Sequence, residues 1–140
     1  MELFGYGTTM NTHLWYSSTN SQVGNQYVDT EVATPSEFGG NLANGYHTYW
    51  MLWQPDSIEI GVDDYIMGTW TPASIGSNGQ PIGSMWAAFQ QPAWVIFNFA
   101  IGGFGWMNPS TPQPGDLPAN MLVDWVWYIP LSQLSGSELG

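Results

Sequence analysis

The sequence predicts an all-β protein with the strands arranged as an antiparallel β-sandwich or jelly roll. Three observations support this: apolar and polar residues alternate with the period of a strand, aromatic and β-branched residues are frequent, and Gly/Pro-rich turns separate the strand-like runs. Of the 140 residues, 44% are hydrophobic and 16% are aromatic, which supplies enough apolar surface for one buried core. Helical spacing with a cap is absent, apart from one turn predicted after Pro72.

The N-terminal part of the chain is predicted to hold two strands, around residues 10–17 and 26–32. The connecting segments 17–25 and 35–44 are rich in Gly, Ser, Asn and Pro, the residues that favour turns. We therefore expect short strands joined by surface loops in this region.

The strongest strand signals lie between residues 46 and 70. Residues 46–53 (YHTYWMLW) form an aromatic run that stops at the turn signal QPD. Residues 57–62 (SIEIGV) place an isoleucine or valine at every second position, so one face of this strand is predicted to be buried. Asp63 and Asp64 then predict a tight hairpin turn that leads into a third strand, 65–70.

Two C-terminal segments are apolar on both faces, as expected of central strands. They are residues 93–101 (AWVIFNFAI) and 121–128 (MLVDWVWY), with loops predicted at 77–83 and 102–119. The first of these, residues 93–101, is the longest apolar run of the sequence, and it is too short to span a bilayer as a helix. We predict one domain over residues 1–131.

The segment after this domain, residues 132–140, is predicted to be a flexible tail. The N-terminal residues lack the basic leader and long apolar run of a secretion signal.

The charge composition restricts the partners of this chain. It contains no Lys, Arg or Cys and 11 acidic residues, for a formal net charge of −11. Without cationic side chains it has nothing to neutralise phosphates, which argues against nucleic acid and against anionic membrane surfaces. The absence of cysteine excludes disulfides, a thiolate nucleophile and thiolate-bound metal centres.

The nine tryptophans suggest a carbohydrate ligand, because indole faces stack on the C–H faces of sugar rings. The alternative is that they fill the core, as most aromatic residues of a β-sandwich do. A soluble protein that exposes several of them needs a functional reason.

Five segments resemble glycoside hydrolase family 16, whose members include lichenases and laminarinases. In order, these segments are 46–49 (YHTY), 53–58 (WQPDSI), 62–64 (VDD), 97–103 (FNFAIGG) and 118–126 (PANMLVDWV). They are similar to the family's F-H-T-Y, W-x-P-x-x-I, V-D-G, L-N-L-A-V-G-G and P-A-x-M-x-V-D-Y-V patterns. The resemblance implies a concanavalin A-like jelly roll, here incomplete, that cuts β-1,3 or mixed-linkage β-1,3-1,4 glucans with retention.

The first residues resemble the end of the family's catalytic signature, E-x-D-x-(x)-E. Residues 1–5 (MELFG) are similar to its last part, so the resemblance implies that Glu2 is the general acid/base. The nucleophile and the intervening Asp would then precede Met1, and the chain would correspond to roughly the C-terminal half of the family domain. We expect the chain alone to be unable to complete the double displacement, which needs two carboxyl groups.

The resemblance also implies further site residues. Asn98, Gln91, Trp106 and Trp15 would bind substrate, although Asn98 is equally well interpreted as a buried amide satisfied by the backbone. Asp124 resembles a calcium ligand of lichenases; the chemistry itself requires no cofactor, and one Asp falls short of a calcium site.

His47 is interpreted as a structural, hydrogen-bonding histidine rather than a catalyst. Asp63 and Asp64 are interpreted as turn residues rather than a catalytic carboxylate pair.

Three functions remain open on the sequence. The first is a β-glucan hydrolase, with a polysaccharide as partner and, by resemblance, an extracellular or cell-envelope location. The second is a β-glucan-binding module that does not cut its ligand. The third is a structural protein whose exposed sheet edges pair with a second chain.

Overall fold

The computed structural model of the chain describes residues 2–4, 9–17, 25–28, 32–33, 41–99, 115 and 119–134. Within these ranges, eight strands form three antiparallel sheets with orders β1-β2-β5, β3-β4 and β6-β7-β8. The strands are β1 (Glu2–Phe4), β2 (Thr9–Asn11), β3 (Leu14–Ser17), β4 (Asn25–Val28), β5 (Val32–Ala33), β6 (Tyr49–Trp53), β7 (Ile58–Val62) and β8 (Tyr65–Trp70). The predicted all-β class is therefore confirmed for this part of the chain, as small sheets rather than a complete sandwich.

The β7–β8 hairpin has the two-residue turn that the sequence predicts. Val62 pairs with Tyr65, which leaves Asp63 and Asp64 as the loop. Asp63 has a positive φ of 48°, a left-handed conformation that Asp and Asn tolerate better than other non-glycine residues. The predicted alternation in β7 is also confirmed, because Ile58, Ile60 and Val62 are all buried.

Gly61 interrupts this alternation for a steric reason. The indole of Trp50, from the neighbouring strand, lies over Gly61, and the pairing of β7 with β8 shifts register between Ile60 and Gly61. A Cβ atom at position 61 would overlap the Trp50 ring and lie 2.6 Å from the backbone oxygen of Tyr65. Glycine is therefore required where the indole crosses the strand.

Among the described residues, the core consists of two clusters on the buried face of the β6–β8 sheet. One joins Leu14 of β3 to β7, β8 and the 3₁₀ helix that follows; its buried members are Leu14, Ile58, Ile60, Trp70, Ile82 and Trp86. The other joins Met10 of β2 to the same sheet; its members are Met10, Leu42, Val62 and Met67. The N-terminal strands are thus packed onto the central hairpin.

The loop predicted at residues 77–83 is confirmed for residues 77–80, which form turns and bends, and a nine-residue 3₁₀ helix, Ile82–Gln90, begins at its end. Ile82 and Trp86 are its buried residues, and the Trp86 indole N–H donates to the Pro55 carbonyl at 2.8 Å. The sequence carries a signal for it, since Ile82, Trp86 and Phe89 are spaced as on one helix face. The turn predicted after Pro72 is present: it is closed by a hydrogen bond in which the Ser74 N–H donates to the Thr71 carbonyl at 2.9 Å.

The prediction of two central strands near the C-terminus is wrong for the described residues. Residues 93–99 and 121–128 form no regular secondary structure, and all of them are exposed, with Trp94 at 90% and Tyr128 at 88%. Apolar composition alone does not make a strand, because a strand also requires a neighbour to pair with its backbone groups. Neither segment pairs with another described strand.

The predicted N-terminal strands are present in divided form. Residues 10–17 split into β2 and β3 around Thr12 and His13, and residues 26–32 contribute to β4 and β5. The segment predicted as a loop at 35–44 contains a short 3₁₀ helix, Leu42–Asn44, whose Asn41 side chain accepts from the Ala43 N–H.

The predicted domain, residues 1–131, and its tail stay predictions. The 3₁₀ turn Leu131–Gln133 extends across their boundary, and residues 135–140 lie outside the described residues. Among the described residues, no helix has the length and apolarity needed to cross a membrane.

Candidate active site

Glu2, the predicted general acid/base, lies in β1 at the register position opposite Asn11 of β2. One residue before Asn11, Met10 is 1% exposed and packs with Val62 in the core. Strand β2 is therefore held against the central hairpin, and β1 follows it as an edge strand of its sheet. The side chain of Glu2 is not among those described, so its role stays a prediction.

Beside this position, the side-chain oxygens of Asn11 and Thr12 are buried and find no hydrogen-bond partner in the part of the chain that the structure describes. Thr12 is 0% exposed. An unsatisfied buried polar group costs about 1–3 kcal/mol, so such groups in a folded protein call for an explanation. Asn11 lies opposite Glu2 and Thr12 follows it, so both are candidates for contact with a substrate, a water molecule or a protonated carboxyl.

Sequence reasoning did not select Asn11 or Thr12. The available signal was weak: two adjacent polar residues interrupt a predicted strand, at the point where β2 gives way to β3.

A second polar cluster ties the tip of the β7–β8 hairpin to the start of β6. The Asp63 carboxylate contacts the His47 ring at 2.7 Å and accepts from the Thr48 N–H at 2.9 Å. The Asp63 backbone donates to the Thr48 carbonyl at 2.8 Å and accepts from the Trp50 indole N–H at 2.8 Å. We refer to these four residues as the His47–Asp63 latch.

The contacts of the latch determine its electrostatics. Partial burial by itself would raise the pKa of Asp63, but the hydrogen bonds from His47 and the Thr48 N–H and the His47 charge together lower this pKa below its ordinary value. Burial raises the pKa of the nearby Tyr49 phenol, and the Asp63 charge raises it further. Asp63 is thus a carboxylate whose partners favour its ionised form.

The predicted substrate-binding residues are not joined by any contact among the described residues. Gln91 donates from its side chain to the Ala87 carbonyl at 3.3 Å, next to the 3₁₀ helix. Asn98 lies exposed in the segment 93–99, which contradicts its alternative interpretation as a buried amide. Trp15 lies in β3 opposite Tyr27, with its side chain outside the described set, and Trp106 lies outside the described residues.

Asp124, the predicted calcium ligand, is exposed. A calcium ion takes about six to eight oxygen ligands. Among the described residues there is no group of three or more His, Cys, Asp or Glu side chains that could hold a metal ion. The side chains described around Asp124 therefore do not fit a calcium ion by themselves, and no chemical step is derived through one.

Comparison with known protein families identifies the family of this chain. The sequence model of the glycosyl hydrolases family 16 matches residues 1–125, which is most of the 140-residue chain. The chain belongs to glycosyl hydrolase family 16. The family match includes both Glu2 and the central hairpin.

Two characterised relatives share part of this family 16 sequence. One is the glucan endo-1,3-beta-glucosidase A1 of Niallia circulans, 35% identical over 88 residues, which are 63% of this chain and 13% of the relative. The other is the keratan-sulfate endo-1,4-beta-galactosidase of Sphingobacterium multivorum, 33% identical over 106 residues, which are 76% of this chain and 23% of the relative. The aligned regions therefore span less than a quarter of either relative. No solved structure matches the chain.

Proposed function

We propose that this family 16 chain acts on neutral β-glucans with β-1,3 or mixed β-1,3-1,4 linkages, by retaining hydrolysis with Glu2 as general acid/base. The family supports a polysaccharide substrate and O-glycosyl hydrolase chemistry. The name of the Niallia circulans relative supports β-1,3-glucan. A jelly-roll architecture and an extracellular or cell-envelope location are part of the same proposal.

The charge of the chain is the observation that favours a glucan over a sulfated galactan. Keratan sulfate, named in the second relative, is a polyanion. This chain carries a net charge of −11 and has no Lys or Arg to pair with sulfate groups. Like charges repel across a binding surface, so a neutral polysaccharide is the better match.

The pairing of β1 with β2 supports the proposed role of Glu2. A general acid must stay protonated near neutral pH, and a hydrogen bond from its protonated form to an acceptor raises its pKa. Residues directly opposite in an antiparallel pair have Cβ atoms about 4.5–5.5 Å apart. The Asn11 side-chain oxygen, which has no hydrogen-bond partner among the described residues, belongs to the residue opposite Glu2, and we propose that it accepts from the protonated carboxyl.

In the proposed reaction, the Glu2 carboxyl donates its proton to the glycosidic oxygen as the bond to the anomeric carbon breaks. It then takes a proton from the water that releases the sugar. Retention also requires a nucleophilic carboxylate about 5–5.5 Å away. The part of the signature that supplies it has no counterpart in residues 1–140, so binding and hydrolysis are tested separately.

Binding is tested by native gel electrophoresis in the presence of laminarin, barley β-glucan or keratan sulfate. We expect both glucans to retard the chain and keratan sulfate to leave its mobility unchanged. Retardation by keratan sulfate alone, or by none of the three, would overturn the proposed substrate class.

Hydrolysis is tested by reducing-sugar release from the same glucans, with Glu2→Gln as the test variant. Glu59→Gln is the matched control, since Glu59 lies on the solvent side of β7 and contacts Thr69 at 3.5 Å. Any release by the parent chain should be abolished by Glu2→Gln without loss of binding, and Glu59→Gln should leave both release and binding unchanged. Release that survives Glu2→Gln removes Glu2 from the mechanism, and binding without any release favours the non-catalytic module.

A further inference from the structure

Two Asn-Gly pairs occur in the sequence, Asn44-Gly45 and Asn78-Gly79. In such a pair the backbone nitrogen of the glycine can attack the side-chain carbonyl carbon of the asparagine. The new C–N bond closes a five-membered cyclic imide, and the side-chain nitrogen leaves as ammonia. Water then opens either imide carbonyl, which yields aspartate or isoaspartate. Glycine permits the attack because no Cβ hinders it.

At the first pair, both residues, Asn44 and Gly45, are exposed to solvent. A Cβ built on Gly45 would meet no atom within 4 Å. Gly45 is extended, with φ −169° and ψ −175°. Among the described residues, neither its N–H nor the Asn44 side chain makes a hydrogen bond.

At the second pair, both reacting groups are held. The Gly79 N–H, which would have to be the nucleophile, donates to the Gly76 carbonyl at 2.8 Å. The Asn78 side-chain oxygen accepts from the Gln80 N–H at 3.0 Å. Gly79 itself has a φ of +75° within this turn. Attack at Asn78 therefore requires the turn to open first, with the loss of two hydrogen bonds.

We propose that Asn44 is a site of spontaneous deamidation in the folded chain, and that it converts to aspartate or isoaspartate ahead of Asn78. The inference is independent of the proposed glucan substrate, because it depends only on the local geometry of the two Asn-Gly pairs.

The position of Asn44 gives the modification a structural consequence. Asn44 ends the 3₁₀ turn that places Leu42 in the core, and it lies three residues before the His47–Asp63 latch. An isoaspartate lengthens the backbone between these two anchors, and either product adds a negative charge to a chain that already carries −11. The segment that leads into β6 is therefore the part of the fold that this modification would strain.

The test follows both sites in the same sample. The folded chain is incubated at mildly alkaline pH, samples are quenched in acid, and peptides from pepsin digestion are weighed and assayed for isoaspartate. Trypsin is unsuitable because the chain has no Lys or Arg. We expect Asn44 to convert several-fold faster than Asn78 in the folded chain, and the two rates to converge in concentrated urea.

The matched variant is Gly45→Ala, which the extended backbone and the open space at position 45 accommodate. We expect this variant to slow conversion at Asn44 severalfold and to leave the rate at Asn78 unchanged. Equal rates at the two sites in the folded chain, a faster rate at Asn78, or a difference that persists in urea would overturn the proposal.

Discussion

Two regions of similar composition reach opposite degrees of burial in this protein. In the β6–β8 hairpin sheet, Ile60 is 5% exposed and packs against Trp70 and Trp86. In the segment 93–99, Ile96 is 81% exposed, although its neighbours are equally apolar. Both regions have the β-branched and aromatic residues typical of strands.

The difference lies in pairing and cover. Strand β7 has a hydrogen-bonded neighbour on each side, and one of its faces is covered by Met10, Leu14 and a 3₁₀ helix. Residues 93–99 and 121–128 have no described strand partner. An apolar sequence therefore indicates a tendency to be buried, and a neighbouring strand and a second layer decide whether burial occurs.

The largest expected effect tests this comparison with one substitution at two sites. Ile60→Ala should lower the free energy of unfolding by about 2–5 kcal/mol, because it leaves a cavity in the core. Ile96→Ala should change it by less than about 0.5 kcal/mol, as at other exposed positions. Urea denaturation followed by tryptophan fluorescence measures both. Equal losses would show that residues 93–99 are packed in solution and would remove the contrast between the regions.

A second pair of substitutions tests whether the Trp50 indole lies over Gly61 in the hairpin sheet. Gly61→Ala should destabilise the fold by about 1–3 kcal/mol, because the new methyl group meets the Trp50 indole and the backbone oxygen of Tyr65. Gly45→Ala, where a Cβ finds nothing within 4 Å, should stay within about 0.5 kcal/mol of the parent chain. The same denaturation experiment reports both. A tolerated alanine at position 61 would show that the indole does not lie over β7.

The smallest expected effect concerns the pH dependence of the latch. The folded state holds the pKa of Asp63 below its ordinary value, so this carboxylate stabilises the fold above the ordinary pKa of about 3.9. That stabilisation is lost as the pH falls through the lower, folded-state pKa. Asp63→Asn should therefore lose less stability than the parent chain between about pH 6 and about pH 3.

The control for this experiment is Asp64→Asn, in the same turn. Its urea midpoint should follow the parent chain at every pH, since Asp64 is exposed and makes none of the latch contacts. If both variants lose less stability than the parent chain at low pH, and by the same amount, the pH dependence arises from the general charge of the chain rather than from the latch.

The role of Glu2 stays a prediction from the sequence, and the residues that lie opposite it were not predicted. The resemblance at residues 1–5 indicates Glu2, and the family match includes that residue. Asn11 was not selected, because its importance depends on which residue lies across from it in β1. Strand register depends on contacts between distant residues, here the burial of Met10 against Val62, which spacing along one strand cannot reveal.

The sequence by itself determined the β class, the two-residue turn at Asp63-Asp64, the buried face of β7 and the absence of any Lys or Arg to bind an anion. These features depend on residue type and on periods of two residues, so they can be read locally. Only the tertiary structure decided that Gly61 lies under Trp50, that Thr12 is fully buried, and that residues 93–99 are left exposed. Each of these depends on which segments become neighbours, and that is settled by the packing of the whole chain.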